Sequence, residues 1–284
     1  MATVQQTAQQ LKAQLITIYP EQEAGAIAQE VLEYVLAQNR VQLSLNQQQE
    51  ITSDQQQELK TIVNRLLTHE PLQYVLGVAH FYGLELQVNQ NVLIPRPETE
   101  ELVDLVIREN RGKKHLRVLD ICTGSGCIPV ALAANLQTEV VYGLEVSEEA
   151  LNVAKANAAK YNLPVNWLHQ DIFEDVQSIG LHSLDVITSN PPYVLEEEQQ
   201  LMRANVLEYE PHLALFVPDT DPLKFYKRIA IVGADLLKTG GSLYFEINER
   251  YGQETCDVLL QAGYQSAAVI KDLFGKDRIV RAVR

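Results

Sequence analysis

The sequence predicts an α/β protein: a doubly wound sheet with helices on both faces, preceded by a small all-α domain. Three observations lead there. From Leu116 onward, short apolar runs of strand length alternate with segments of helical periodicity. Up to about Val75, only helical spacing appears. Between these regions, Pro95 and Pro97 hold the chain extended around Arg96.

The elements follow in order. Leu11, Leu15 and Ile18 recur at helical spacing, as do Ile27, Val31, Leu32, Val35 and Leu36, and then Leu59, Ile62, Val63, Leu66 and Leu67. Ser53 or Asp54 is the expected cap of the last of these helices. The glutamine runs 47–49 and 55–57 read as solvated helix faces and loops, because leucines interrupt them at core spacing. No internal repeat is visible. Phe81, Leu84, Leu86 and Val88 then alternate with polar or small residues and Gly83 breaks the run, which predicts a short hairpin or extended linker. Helical spacing resumes over residues 98–107. Beyond it, a buried strand is expected to end at 118–120, further strands at 140–144, 165–168, 184–188 and 242–247, and closing strands at 267–270 and 279–283. Helices are expected at 128–134, after Ser147, at about 223–237 and at 253–261. The domains divide as 1–78, 79–97 and 98–284.

Composition narrows the function classes. The chain has 284 residues, 46% of them hydrophobic, enough for a sizeable core. No apolar run reaches the roughly 18 residues that a membrane helix needs. The Gln- and Thr-rich start does not resemble a signal peptide. Three cysteines, Cys122, Cys127 and Cys256, lack framework spacing and fit a reducing cytoplasm. The net charge of −14 argues against broad adhesion to nucleic acid, which needs clustered Lys and Arg. No metal site is expected, since the six histidines show no ligand spacing with each other or with cysteine.

Two segments carry chemistry. Asp120-Ile121-Cys122-Thr123-Gly124-Ser125-Gly126 joins a strand directly to a helix. Glycines there let the backbone approach a ligand, and the helix that follows offers free N–H groups. Glu145 closes the next strand, where a carboxylate can accept hydrogen bonds from both ribose hydroxyls of a nucleoside. NAD fits this loop poorly, because Pro129 stands where a third glycine belongs. The second segment is Asn190-Pro191-Pro192-Tyr193, placed straight after an apolar strand. Its two prolines make a stiff turn that can aim carbonyls at a ligand, Asn190 adds a side-chain oxygen, and Tyr193 adds a flat ring.

With these residues the chain resembles the class I methyltransferases that act on exocyclic or amide nitrogens. The stretch Leu93-Ile94-Pro95-Arg96-Pro97-Glu98-Thr99-Glu100 is more specific. It looks like the linker signature of the peptide chain release factor N(5)-glutamine methyltransferases, the HemK/PrmC family. Tyr209-Glu210-Pro211, Ala214-Leu215, Lys271-Asp272, Gly275 and Asp277-Arg278 match as well, and the likeness runs from the first helices to the last strand.

The resemblance implies a Rossmann-like, mostly parallel sheet with an antiparallel last strand. It implies a helical domain (1–78) that recognises the substrate protein, a hairpin linker (79–97) and an S-adenosylmethionine-dependent catalytic domain (98–284). The implied reaction methylates the glutamine of the release factor's Gly-Gly-Gln motif in the cytoplasm, by a monomeric enzyme with neither membrane nor nucleic acid as partner. Cys122, Thr123, Gly124, Ser125, Gly126 and Glu145 would contact the cofactor. Asp171 and Ile172 would flank the adenine, with Asn190 at the methyl end. Asn190, Pro191, Pro192 and Tyr193 would hold the substrate amide, with Asn190, Pro191 and Tyr193 catalytic. Two positions depart from the family pattern: Cys122 stands where Gly is usual, and Glu145 where Asp is usual.

Arg96 has two readings: contact with the substrate or its loop, or a salt bridge to Glu98, Glu100 or Glu101. A nucleic-acid N-methyltransferase sharing the Asn190 turn, and a non-catalytic cofactor-binding module, are the competing functions. The acidic balance and the Pro95-Arg96-Pro97 signature count against the first. The complete Asn190–Tyr193 set counts against the second.

Overall fold

The computed structural model describes residues 2–175 and 180–284. They form two compact units, Met1–Gly77 with Arg203–Tyr209, and Val78–Met202 with Glu210–Arg284.

The first unit holds α1 (Val4–Leu15), α2 (Glu21–Leu36), α3 (Arg40–Leu45), α4 (Ser53–Leu66) and α5 (Leu72–Leu76). Leu15, Val31, Leu32, Ile51, Leu59 and Leu66 fill its core. Helix starts explain part of the unusual glutamine content. α1, α3 and α4 each begin with a reciprocal cap in which Thr3, Asn39 or Thr52 pairs with Gln6, Gln42 or Gln55. In each, the cap side chain accepts the glutamine N–H and the glutamine side chain accepts the cap's own N–H. The cap of α4 is therefore Thr52, one residue before the expected Ser53 or Asp54; those two already have their place inside the first helical turn. The unit also takes in a distant segment carrying α9 (Ala204–Leu207), where the Tyr209 hydroxyl donates to the Thr68 carbonyl at 2.7 Å.

The second unit opens with a hairpin, β1 (Val78–Phe81) and β2 (Leu84–Gln87). Its two-residue loop, Tyr82-Gly83, has positive φ at both positions, the arrangement that matches strand twist. Pro97 starts α6 (Pro97–Asn110) at a position where its missing N–H costs nothing. Then come β3 (Leu116–Ile121), α7 (Cys127–Asn135), β4 (Thr138–Glu145), α8 (Glu148–Lys160), β5 (Val165–His169) and β6 (Leu184–Ser189). A short parallel pair, β7 (Val194–Leu195) and β8 (Phe216–Val217), precedes α10 (Lys224–Leu236), β9 (Leu237–Glu246), α11 (Gly252–Gln261), β10 (Ser266–Lys271) and β11 (Asp277–Val283).

The seven-stranded sheet runs β10-β11-β9-β6-β3-β4-β5. β9, β6, β3, β4 and β5 are parallel, and β11 is antiparallel to both neighbours. The central strands are buried on both faces, as their unbroken apolar runs require: Val118, Leu119 and Ile121 in β3, and Leu184, Val186 and Ile187 in β6. Strand order reverses between β3 and β6, so a crevice opens where these two strands end. No helix among the described residues is long and apolar enough to cross a membrane.

Capping predicts a sharp contrast between neighbours. Thr52→Ala should cost the helical unit about 1 kcal/mol, measured by hydrogen exchange of core amides in α4 such as Leu59 and Val63. Ser53→Ala should change that protection by only a few tenths of a kcal/mol.

Candidate active site

The site grows from the ends of β3 and β6. After Ile121 the chain turns sharply: Cys122, Gly124 and Gly126 have φ of 61°, 53° and 77°. A Cβ on Gly126 would stand 2.9 Å from both Ala154 and the Trp167 ring, so this glycine is needed for close packing of loop, helix and strand. A Cβ on Gly124 would meet nothing within 4 Å, because its face opens into the cleft. Cys122, with a side chain, holds a conformation that costs about 1–2 kcal/mol outside glycine. Asn157, fully buried in α8, ties the loop down: its Nδ2 donates to the Ser125 carbonyl at 2.9 Å and to the Gln87 carbonyl at 3.0 Å.

Glu145 ends β4 beside this loop. Its Oε2 accepts the Gly124 N–H at 2.9 Å, and its Oε1 accepts those of Val146 and Ser147 at 2.9 and 3.1 Å. A carboxylate has about four acceptor positions, so Glu145 shapes the loop and retains capacity towards the cleft that it lines. Beneath lies Asp120, fully buried. Its Oδ1 accepts the Thr188 hydroxyl at 2.7 Å, while Oδ2 has no hydrogen-bond partner among the described residues. Burial, helped by the Glu145 charge, pushes the Asp120 carboxyl up to about 7.

The end of β6 supplies the second half. Ser189 donates to the Ile121 carbonyl at 2.6 Å, locking the two strand ends together. Asn190 follows at the cleft, its Nδ2 donating to Thr99 Oγ1 at 3.2 Å. The Tyr193 hydroxyl donates to Glu246 Oε1 at 2.9 Å, and Thr99 donates to Glu246 Oε2 at 2.6 Å. Asn248 holds the turn from behind, donating to the Tyr193 carbonyl at 3.2 Å.

Arg96 finds a partner that local spacing did not suggest. Its guanidinium donates to Glu210 Oε1 at 2.5 Å, and Glu210 Oε2 accepts the Ile94 N–H at 3.1 Å. The Glu210 side chain is 1% exposed, so this ion pair anchors the linker more firmly than a surface pair with Glu98, Glu100 or Glu101 would. Two motifs far apart in the sequence thus meet in one contact. The motif at 271–278 is a self-contained turn: Asp272 accepts the N–H groups of Phe274 and Lys276 and the Arg278 guanidinium, around Gly275 at φ 82°.

Of the sequence-predicted residues, Cys122, Thr123, Gly124, Ser125, Glu145, Asn190, Pro192 and Arg96 line one cleft. Gly126, Pro191 and Tyr193 adjoin these residues in the chain without lining the cleft. Asp171 accepts the Phe173 N–H, and Ile172 packs into the sheet's hydrophobic core, away from the lining. An aromatic wall went unpredicted: Phe225, at the start of α10, lines the cleft and packs edge-on against Phe173 with ring centroids 5.1 Å apart. Thr99 and Glu246 were also missed as site residues. The available signal was a carboxylate inside the apolar run Leu243-Tyr244-Phe245-Glu246-Ile247.

Asp120 makes stability depend on pH. A carboxyl with a raised folded-state pKa holds its proton more tightly when folded, so the protein gains stability as pH falls from about 7 towards 4. That gain is lost as pH rises through 7. Asp120→Asn should therefore resist urea better than the parent at pH 8, by at most about 4 kcal/mol, with the gap narrowing as pH falls and closing only near pH 4. Parallel midpoints across that range would mean Asp120 is not the group responsible.

Comparison with known proteins agrees with this geometry. Residues 3–77 match the family model of the PrmC N-terminal domain, and residues 101–210 match that of the methyltransferase small domain. The chain is 45% identical to the release factor glutamine methyltransferase of Bacteroides thetaiotaomicron, covering 96% of this chain and 98% of that protein. It is 40% identical to the one from Flavobacterium psychrophilum, covering 94% of each. A methyltransferase from Pyrococcus furiosus shares the fold, with a TM-score of 0.51 at 18% identity over 82% of this chain and 98% of that one. Similar in sequence along nearly its whole length, and built on a methyltransferase sheet, this chain belongs to the release factor glutamine methyltransferase family.

Proposed function

We propose that this enzyme transfers the methyl group of S-adenosylmethionine to the side-chain amide nitrogen of the glutamine in the Gly-Gly-Gln motif of peptide chain release factors, in the cytoplasm. The observation that carries the reading is the position of Asn190, in the same cleft as the glycine loop and Glu145. Family membership supports the choice of substrate protein.

The residues present suit the cofactor. Gly124 leaves open space where a side chain would stand, Glu145 keeps acceptor capacity at the end of β4, and Phe225 offers an aromatic wall. Glu145 would take the ribose hydroxyls, the loop from Cys122 to Gly126 the amino-acid end, and the aromatic wall at Phe225 the adenine. When bound, S-adenosylmethionine supplies a methyl group made electrophilic by its sulfonium.

The protein's part is orientation. An amide nitrogen attacks poorly because its lone pair is delocalised into the carbonyl. Asn190 Oδ1 and the Pro191 carbonyl accept the two amide hydrogens and hold the nitrogen in place. These bonds strengthen as positive charge grows on nitrogen, which favours the transition state over the ground state. Tyr193 packs beside the planar group and excludes water. Arg96, held by Glu210, orders the linker at the mouth. No strong base is needed, because the methylated nitrogen gives up its extra proton readily. The helical unit recognises the partner protein and carries none of the chemistry.

Incubation with radiolabelled S-adenosylmethionine and purified release factor, transfer RNA or DNA tests the reading: label should enter the release factor alone, at its Gly-Gly-Gln glutamine. Asn190→Ala should lower kcat about 100-fold or more while calorimetry shows cofactor affinity within twofold of the parent. A chain beginning at Ala79 should bind cofactor yet methylate intact release factor poorly, while a short peptide carrying the glutamine is methylated equally, and weakly, by both forms. Equal loss on protein and peptide would assign the helices a stabilising role only.

A further inference from the structure

Glu246 is a buried carboxylate with no part in the chemistry above. It is the last residue of β9 and 1% exposed. Both oxygens are used: Oε2 accepts the Thr99 hydroxyl at 2.6 Å and Oε1 accepts the Tyr193 hydroxyl at 2.9 Å. Thr99, 2% exposed in the first turn of α6, reaches Asn190 Nδ2 at 3.2 Å. Three elements distant in sequence therefore meet at one chain of hydrogen bonds, Glu246 to Thr99 to Asn190.

The chain has a direction. A carboxylate can only accept, so the single proton of Thr99 must point to Glu246. Thr99 then has only lone pairs to offer Asn190. The Asn190 amide must donate, so its NH2 end is turned back to Thr99 and its Oδ1 is the end presented to the cleft. That assignment follows from the charge on Glu246 and not from telling nitrogen from oxygen by position. If Glu246 carried a proton and gave it to Thr99, Thr99 could donate to Asn190 Oδ1. The NH2 group would then face the cleft, donor against donor for a substrate amide.

We propose that Glu246 is a positioning residue for methyl transfer: acting through Thr99, it fixes the Asn190 amide so that Oδ1 accepts a hydrogen from the substrate nitrogen. The inference rests on the amide-nitrogen reaction proposed above. It adds a reason for a carboxylate, and not merely a polar residue, at the end of β9. The groups facing this carboxylate bear on its charge from several elements. Arg278 of β11, itself paired with Asp272, favours the ionised form; Glu98 of α6 opposes it. The Tyr193 and Tyr226 hydroxyls lie close and neutral, their pKa values pushed up by burial. Burial outweighs the favourable contacts and raises the Glu246 carboxyl above its ordinary value.

The test compares the parent with Glu246→Gln, Thr99→Val, Thr99→Ser and the double variant Thr99→Val/Glu246→Gln. Glu246→Gln has the same shape but can donate, so the direction of the chain is lost. We expect it to lower kcat on intact release factor at least tenfold, with KM and cofactor affinity within about twofold. Thr99→Val should match it, and Thr99→Ser, which keeps the hydroxyl, should recover most of that loss. The double variant should be no worse than either single one, because both break the same chain. In the parent, kcat should fall at acid pH with one protonation; Glu246→Gln should lack that limb. Near-parental kcat in Glu246→Gln, or losses that multiply in the double variant, would overturn the proposal. The Asn190 side-chain NH2 signal in NMR reads the orientation without turnover. One proton should be protected from exchange in the parent and unprotected in Thr99→Val and Glu246→Gln; identical exchange in all three would also overturn it. An enzyme with that NMR pattern but no label in release factor would instead count against the proposed substrate.

Discussion

The parallel pairing of β3 with β6 is the constraint on which the sheet unit turns. Strand order reverses there, so the connections leave the two strand ends in opposite directions and a crevice opens between them. Ile121 stands opposite Ser189 in this register, which puts the loop from Cys122 beside the turn from Asn190. The bond from Ser189 to the Ile121 carbonyl fastens them. A one-residue slip would separate the two and turn each side chain of the strand to the other face.

Polar groups under the cleft hold its walls in a fixed relation. Each is buried and most are bonded: Asp120 with Thr188, Glu246 with Thr99 and Tyr193, Glu210 with Arg96 and the Ile94 N–H, Asn157 with Ser125 and Gln87. Such contacts are worth less in net stability than in geometry, since each group leaves water to make them. Their value lies in joining elements that the hydrophobic core alone would leave free to slide. Asp120 is the exception, with one oxygen unbonded among the described residues, and its raised pKa records the cost of burial.

Periodicity and turn chemistry are local properties, so they were legible. Most strands and long helices, the hairpin at Gly83 and the glycine loop stand where apolar spacing and turn residues put them, but β9 begins at Leu237, five residues before the expected 242, and the short α3, α5, α9, β7 and β8 lie outside the expected elements. The glutamine runs 47–49 and 55–57 read only as solvated, and Gln6 and Gln42 drew no reading, yet glutamines also work at helix starts. Three of them close helix caps, because a cap depends on backbone angles that composition does not specify: Thr52 and Ser53 look alike as caps until the chain bends at one of them. For the same reason, the segment 203–209 could not be grouped with the helical unit from spacing alone.

The sequence by itself determined which chemical groups the candidate site could contain. A glycine loop, a carboxylate closing the next strand and an asparagine before two prolines each follow or end an apolar strand, and strand–loop–helix order is enough to bring them to one edge of a parallel sheet. What only the tertiary structure decided is how those groups are aimed. Arg96 had three carboxylates within five residues and took Glu210 instead, because burial makes a distant carboxylate the stronger partner. Ile172 went to the core and Phe225 came to the cleft. The Asn190 amide acquired its direction from Glu246 through Thr99, residues 56 and 91 positions away by number. Hydrogen-bond direction depends on which donors and acceptors share a dry space, and that is settled only when the strands have closed around it.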